Sequence, residues 1–198
     1  MISLVVFLGN HGPTYAGNRH NVAWIFAQNL SYSQELSWQR KFRGQYASRR
    51  FTGPDGALRP VHFLKPETFM NLSGESVQEA LRFFRLTPEE VLIVHDELEL
   101  SPGTVSLKWS GGLGGHNGLR SLKSSLGTAD FWRLRFGIGR PSHADIASYV
   151  LSDFSPDERI MLAQMQHPVE ALLNQILEDD PKRALPEWAK KKLLDEGV

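Results

Sequence analysis

The chain has 198 residues, enough for one substantial core and short for two, and its 41% hydrophobic and 10% aromatic content marks a folded globular protein. Twenty-two Lys and Arg balance 22 Asp and Glu, so a polyanionic partner would have to be met by a local basic face rather than by overall charge. Cysteine is absent, which excludes disulfides, thiolate metal sites and a cysteine nucleophile, and no run approaches the roughly 18 apolar residues of a membrane span.

In chain order, residues 1–8 are apolar but lack a basic leader and a small-residue cleavage site; a buried strand over 4–8 is expected, not a signal peptide, and the cytoplasm is the natural compartment. Turn chemistry follows at Gly9-Asn-His-Gly-Pro-Thr14. Val22, Ile25, Phe26 and Leu30 then recur at helical spacing, with Asn18 as a candidate N-cap. That sets His20 in or near a first helical turn, where the helix's partial positive charge would lower the imidazole pKa. Residues 42–51 and 58–64 read as a hairpin, and an amphipathic helix carries Val77, Ala80, Leu81 and Phe84 on its apolar face.

Val91-Leu-Ile-Val94 is a short continuous apolar run, the pattern of a strand buried on both faces, and it ends in His95-Asp-Glu97. A further strand over 104–109 leads into Ser110-Gly-Gly-Leu-Gly-Gly-His-Asn-Gly118, in which five of nine residues are glycine. Such a stretch is either a flexible hairpin or a loop whose backbone approaches a ligand closely. A helix over 119–126 follows, then a strand over 131–138 that puts Arg133 and Arg135 on one face. Helices are expected over 142–150 and 156–177, and after Asp180 either a loosely attached tail or a short terminal helix. Alternating strands and helices with one hairpin predict a single-domain three-layer α/β/α sandwich on a mixed, mostly parallel central sheet.

Three asparagines, Asn10, Asn71 and Asn117, stand at loops or junctions. Converging, they would orient a water, a carbonyl and a ribose hydroxyl without titrating; singly, each is an ordinary turn or cap residue. His20 with Asp96 would make a base and its orienter, against the plainer readings of a helix-start histidine and a turn aspartate. His11, His62, His143 and His167 read as surface or satisfied core histidines. No G-x-S-x-G or H-E-x-x-H spacing occurs, so direct attack by water is the simpler chemistry. Lys108 precedes the glycines where a phosphate-loop lysine would follow them, which removes nucleotide hydrolysis. Lys108, Arg120, Lys123, Arg133, Arg135 and Arg140 face only Asp130 between residues 101 and 142, a local excess suited to nucleic acid.

These residues resemble the bacterial-type peptidyl-tRNA hydrolases. The matching stretches are Leu8-Gly-Asn-His-Gly-Pro-Thr-Tyr-Ala-Gly-Asn-Arg-His-Asn-Val22, Lys65-Pro-Glu-Thr-Phe-Met-Asn-Leu-Ser-Gly74, Val94-His-Asp-Glu-Leu-Glu-Leu100, Gly111-Gly-Leu-Gly-Gly-His-Asn-Gly-Leu119, Phe131-Trp-Arg-Leu-Arg-Phe-Gly-Ile-Gly-Arg-Pro141 and Tyr149-Val-Leu-Ser-Asp-Phe154. The resemblance implies hydrolysis of the ester between peptide and tRNA, which recycles tRNA and rescues prematurely released peptidyl-tRNA. It implies His20 as base, Asp96 as the residue holding it, and Asn10 as a sensor of a blocked amino group. Tyr15, Phe69, Asn71 and Asn117 fall on positions contacting the peptidyl and terminal-adenosine end, with His116 beside them, and Lys108 and Arg135 on positions that hold tRNA phosphates. A monomer without metal or cofactor follows from the same resemblance. A non-catalytic RNA-binding module on the same scaffold is the alternative. Phe7, His11, Asn18 and Leu113 depart from the family's usual glycine, proline, threonine and histidine; Phe7 is expected to narrow the space behind the first loop, and Leu113 to remove a polar side chain from the glycine loop.

Overall fold

The computed structural model describes residues 1–142 and 145–194. Among the described residues eight strands form one sheet: β1 (Leu4–Phe7), β2 (Gln39–Lys41), β3 (Gly44–Thr52), β4 (Leu58–Pro66), β5 (Val91–Glu97), β6 (Thr104–Trp109), β7 (Trp132–Gly137) and β8 (Lys191–Lys192). Their order is β2-β3-β4-β1-β5-β7-β6-β8. The four central strands, β4, β1, β5 and β7, are mutually parallel. Only β3 and β6 run against the rest, so six of the eight described strands point one way although each reversal makes two antiparallel pairings.

The period of two in the central strands builds both cores at once. Val5, Phe7, Leu92, Val94, Leu134 and Phe136 turn to one face. There they meet α1 (Val22–Gln28), α5 (Pro156–Glu178) and α6 (Pro181–Trp188). Leu4, Val6, Val91 and Ile93 turn to the other, against α2 (Ser73–Phe84) and α3 (Asn117–Leu126). The expected three layers are therefore present, and fully buried strands explain why residues 91–94 read as uninterrupted apolar sequence.

Local chemistry sets the ends. Ser155 and Glu158 form a capping box at the start of α5, with Pro156 in its first turn. α2 stops at Arg85 and α3 at Gly127, both left-handed. Asn18 begins the one-turn helix over Arg19–Asn21 but makes no side-chain cap bond; it is buried and bridges Asp153 instead. The expected helix over 142–150 is the short α4 (Ile146–Val150), and residues 143 and 144 of that stretch lie outside the described residues. The stretch after Asp180 is not loosely attached: Ala184 and Trp188 are buried in the first core, and β8 pairs with β6.

Candidate active site

The loops after β1 and β4, the end of β5 and the start of α3 come together at one edge of the sheet. Asp96, 3% exposed, is the penultimate residue of β5. Its Oδ1 lies 2.8 Å from His20 Nδ1 and 3.0 Å from His116 Nε2. The His20 and His116 rings are 4.8 Å apart, and His95 packs edge-on against His116 at 5.1 Å.

Hydrogen-bond geometry fixes the tautomers. His116 caps α3, its Nδ1 accepting from the backbone N–H of Gly118 at 3.1 Å and of Leu119 at 3.4 Å. A neutral ring with an acceptor at Nδ1 carries its proton at Nε2, so His116 donates to Asp96. His20 donates to the same carboxylate oxygen through Nδ1, which leaves its Nε2 with a lone pair. His95 bonds through Nδ1 to the Asp96 carbonyl at 2.6 Å, and its Nε2 is buried without a partner.

Charge states follow from these contacts. Burial is the largest influence on Asp96 and pushes its carboxyl up, but the two histidines together hold it well below the usual carboxylate range. Burial likewise pushes His20 down, while the charge of Asp96 and the hydrogen bond to it push it up, and the net shift is upward from 6.5. This corrects the downward shift expected from the helix terminus: one turn of helix supplies a small partial charge, and a full carboxylate charge at 2.8 Å outweighs it. Burial sends His95 well below 6.5, so it is neutral.

A cavity of about 410 Å³ opens over this group. His20, Asp96, His116 and Asn117 line it together with Leu113 and the α4 residues Ile146, Ala147 and Val150. Asn10 is joined to the segment that carries His20: its backbone N–H and carbonyl are held by the Asn21 side chain at 2.8 and 2.9 Å, and its Oδ1 accepts from Met70 N at 3.2 Å. The loop carrying Phe69 and Asn71 is thereby pinned to the loop after β1. A Cβ on Gly118 would lie 2.7 Å from Met70 Sδ and 3.0 Å from Leu8 Cδ1, so the Asn71 and Asn117 loops also touch. Asn71 and Asn117 are exposed, Phe69 is 74% exposed, and Tyr15 is half-buried.

The glycine loop reaches this site by an unexpected route. Because β6 is antiparallel, the loop leaves from the far end of the sheet, where Ser110 N bonds to Phe131 O. It then returns along the sheet face until Gly114 stands beside Glu97 and His116 meets Asp96. Gly111, Gly114 and Gly115 have positive φ, as the flat path over other side chains requires. Arg133 is the support beneath: at 1% exposure it donates to the carbonyls of Gly112 at 2.6 Å and Gly111 at 2.7 Å. The expected basic face is thus partly internal. Arg135 is tied to Glu97 at 3.2 Å and Ser106 Oγ at 2.7 Å, whereas Lys108 is half-exposed. Burial and the two neighbouring guanidiniums lower the Lys108 pKa.

Leu113 lines the cavity, as its place in the loop suggested. Phe7 instead fills the core, fully buried at 6.3 Å from Phe63, and His11 is exposed beside Glu67. Sequence reasoning missed His95, Arg133 and Arg19 as structural participants. The alternation that put Arg133 opposite Leu134 was a usable signal, since Leu134 sits in one core and Arg133 must then face the other layer.

Fold and site together define a three-layer α/β protein with a histidine–aspartate pair at the carboxyl ends of parallel strands. A family model described as peptidyl-tRNA hydrolase matches residues 4–196. A peptidyl-tRNA hydrolase of Treponema pallidum is 48% identical over 198 residues, covering 98% of this chain and 97% of its own. One from Geotalea uraniireducens is 43% identical, covering 98% of this chain and 99% of its own. The crystal structure of peptidyl-tRNA hydrolase from Acinetobacter baumannii superposes with a TM-score of 0.81 at 32% identity, covering 95% of this chain and 92% of that one. A peptidyl-tRNA hydrolase in complex with n-propanol gives 0.84 at 32% identity, covering 95% and 94%. The chain belongs to the peptidyl-tRNA hydrolase family.

Proposed function

We propose that this protein cleaves the ester joining a peptide to the terminal ribose of tRNA, with His20 as general base. The observation that carries this reading is the shared Asp96 oxygen: accepting from both His20 Nδ1 and His116 Nε2, it leaves His20 Nε2 as the proton acceptor at the cavity. Water gives a proton to Nε2 and attacks the ester carbonyl carbon. The tetrahedral intermediate then expels the ribose oxygen, which takes the proton back from the imidazolium. A peptide with a free carboxyl group and a tRNA with a free hydroxyl result. The exposed amides of Asn71 and Asn117 are the donors available to the oxyanion. Asn10, its Oδ1 engaged by Met70, offers Nδ2 to the first peptide group; a free, charged amine in its place would be a donor facing a donor.

Tyr15 and Phe69 present aromatic surface to the peptidyl and adenosine end. Lys108 is the phosphate contact with fewest internal ties, and Arg135 shares its charge with Glu97.

The reaction needs no metal in this reading. His20, Asp96 and His116 offer ligand atoms within 4.8 Å of one another. A metal on His116 Nε2, however, would move that ring's proton to Nδ1, against the two backbone N–H groups it accepts. Chelators should leave turnover unchanged. A cytoplasmic, monomeric protein belongs to the same reading; no described helix is long and apolar enough to cross a membrane. A non-catalytic RNA-binding module draws no support from the named relatives, which are hydrolases.

The deciding experiment is turnover of a peptidyl-tRNA by His20→Ala. Loss of turnover with retained tRNA binding is expected, and wild-type rates would remove His20 from the mechanism.

A further inference from the structure

The residue before the base is a guanidinium wrapped by a different part of the chain. Arg19 donates to Ser152 Oγ at 2.6 Å, the Asp153 carbonyl at 2.9 Å and Glu158 Oε2 at 2.7 Å. Its carbon centre lies over the Tyr149 ring at 4.5 Å and the Phe154 ring at 5.5 Å. The backbone repeats the connection. Arg19 N bonds to Ser152 O at 3.0 Å, Asn18 bridges Asp153, and Phe154 N bonds to Gly17 O at 3.0 Å.

Everything Arg19 holds lies within residues 149–158, the end of α4, its connection to α5 and the first turn of α5. α4 supplies Ile146, Ala147 and Val150 to the wall of the catalytic cavity, and His20 lines the same cavity. With only five residues, α4 has little stability of its own. Glu158 is already committed to the capping box through Ser155 N at 2.7 Å, so the carboxylate that receives Arg19 is itself fixed. The planar fork matters here: it reaches a hydroxyl, a carbonyl and a carboxylate at once, which an ammonium does not.

We propose that Arg19 is a positioning residue that fastens the α4 wall of the catalytic cavity to the backbone carrying His20, so that base and substrate wall are set as one unit. The role rests on the proposed active site, because it is the substrate that the wall receives. It adds a reason for arginine beside His20 that proton transfer does not supply.

Arg19→Ala tests it with two readouts. The KM for peptidyl-tRNA should rise about tenfold with kcat changed much less, the pattern of lost substrate positioning. Backbone amides of 146–150 should exchange hydrogen faster, while those of β5 keep their protection. Millimolar guanidinium should restore the KM, and Arg19→Lys should recover only part of it. The exchange readout needs no turnover, so it judges the clamp even if His20→Ala shows the base to be misassigned. Unchanged exchange at 146–150, or a KM that guanidinium does not restore, overturns the proposal. Should Arg19→Ala fail to fold, Glu158→Gln keeps an acceptor for the capping box and removes the charge that holds the guanidinium; it should shift both readouts in the same direction by a smaller amount, and wild-type values for both would overturn the proposal equally.

Discussion

His116 Nε2 lies 3.0 Å from the Asp96 oxygen that also receives His20. The contact makes the cap of α3 part of the environment of the carboxylate that holds His20. His116 cannot turn to bind anything else without releasing two backbone N–H groups, so the glycine loop, the helix start and Asp96 are fixed together.

Activity should report the raised pKa of His20. A general base acts as the neutral imidazole, so with His20 in the proposed role kcat/KM should be level at alkaline pH and fall on the acid side with a midpoint above 6.5. In Asp96→Asn the upward push is gone and the midpoint should move down, while the plateau drops roughly 10²–10⁴-fold because the ring loses its tautomer and orientation. A wild-type midpoint at or below 6.5 would contradict the assignment. Rate profiles of both proteins decide it.

Stability should respond to the same pair with opposite signs. Asp96 titrates well below 3.8 in the folded state, so its ionisation stabilises the fold above that value, and the contribution is lost as pH falls through the folded pKa. His20 titrates above 6.5 when folded; its contribution is complete below 6.5 and is lost as pH rises through the folded value. In His20→Ala, the gain in unfolding temperature that the wild type shows on moving from alkaline to mildly acidic pH should shrink. Thermal unfolding from pH 9 to 4 measures the difference, and parallel curves would argue against the coupling.

Gly118→Ala should cost more activity than stability. The new methyl would meet Met70 Sδ at 2.7 Å, Leu8 Cδ1 at 3.0 Å and His116 Cε1 at 3.1 Å. Overpacking of this kind costs about 1–3 kcal/mol. Because the crowded atoms are those that join the Asn71 loop to the Asn117 loop and the His116 cap, kcat/KM should fall at least tenfold at temperatures where the variant is fully folded. A destabilised variant with unaltered kinetics would show that the loop junction is not part of substrate alignment.

The extent to which this site was legible depended on the range of the interaction. His20, Asp96 and the three asparagines stand at element boundaries, where turn chemistry and the end of an apolar run mark them locally. The pairing of β1 with both β4 and β5 sets the loops of Asn10, His20, Asn71 and Asp96 side by side, Asn117 arrives by the returning glycine loop, and the alternation of strands and helices was enough to predict the layers. The downward shift expected for His20 counts the helix terminus and leaves out the charge of Asp96, although the sequence already pairs the two residues. The sequence puts Arg133 and Arg135 on one basic face, but the direction of β6 sends the glycine loop back over Arg133. Strand direction at a sheet edge is a tertiary property. The helix after Asp180 lost its signal for a similar reason: its few buried residues, Ala184 and Trp188 among them, find a core only after the sheet has formed.

Asn117→Asp separates binding from folding. The side chain is exposed at the first turn of α3, where a carboxylate suits the helix, so unfolding temperature should be unchanged or slightly higher. Affinity for tRNA should fall by repulsion from the phosphate backbone, most clearly at low salt. Equal affinity at two salt concentrations would argue against contact at this position.

Lys108 and Arg133, neighbours across β6 and β7, should differ in kind. Lys108 is half-exposed, and Lys108→Gln should reduce the slope of log affinity for tRNA against log salt by about one unit, with little effect on stability. Arg133 is buried and spends its guanidinium on the Gly111 and Gly112 carbonyls. Arg133→Met should therefore leave the salt slope unchanged, cost about 1–3 kcal/mol of stability through those unmet carbonyls, and raise KM as the glycine loop lifts from the sheet. If Arg133→Met flattened the salt dependence and Lys108→Gln did not, the guanidinium would be reaching RNA phosphate and its place beneath the loop would be wrong.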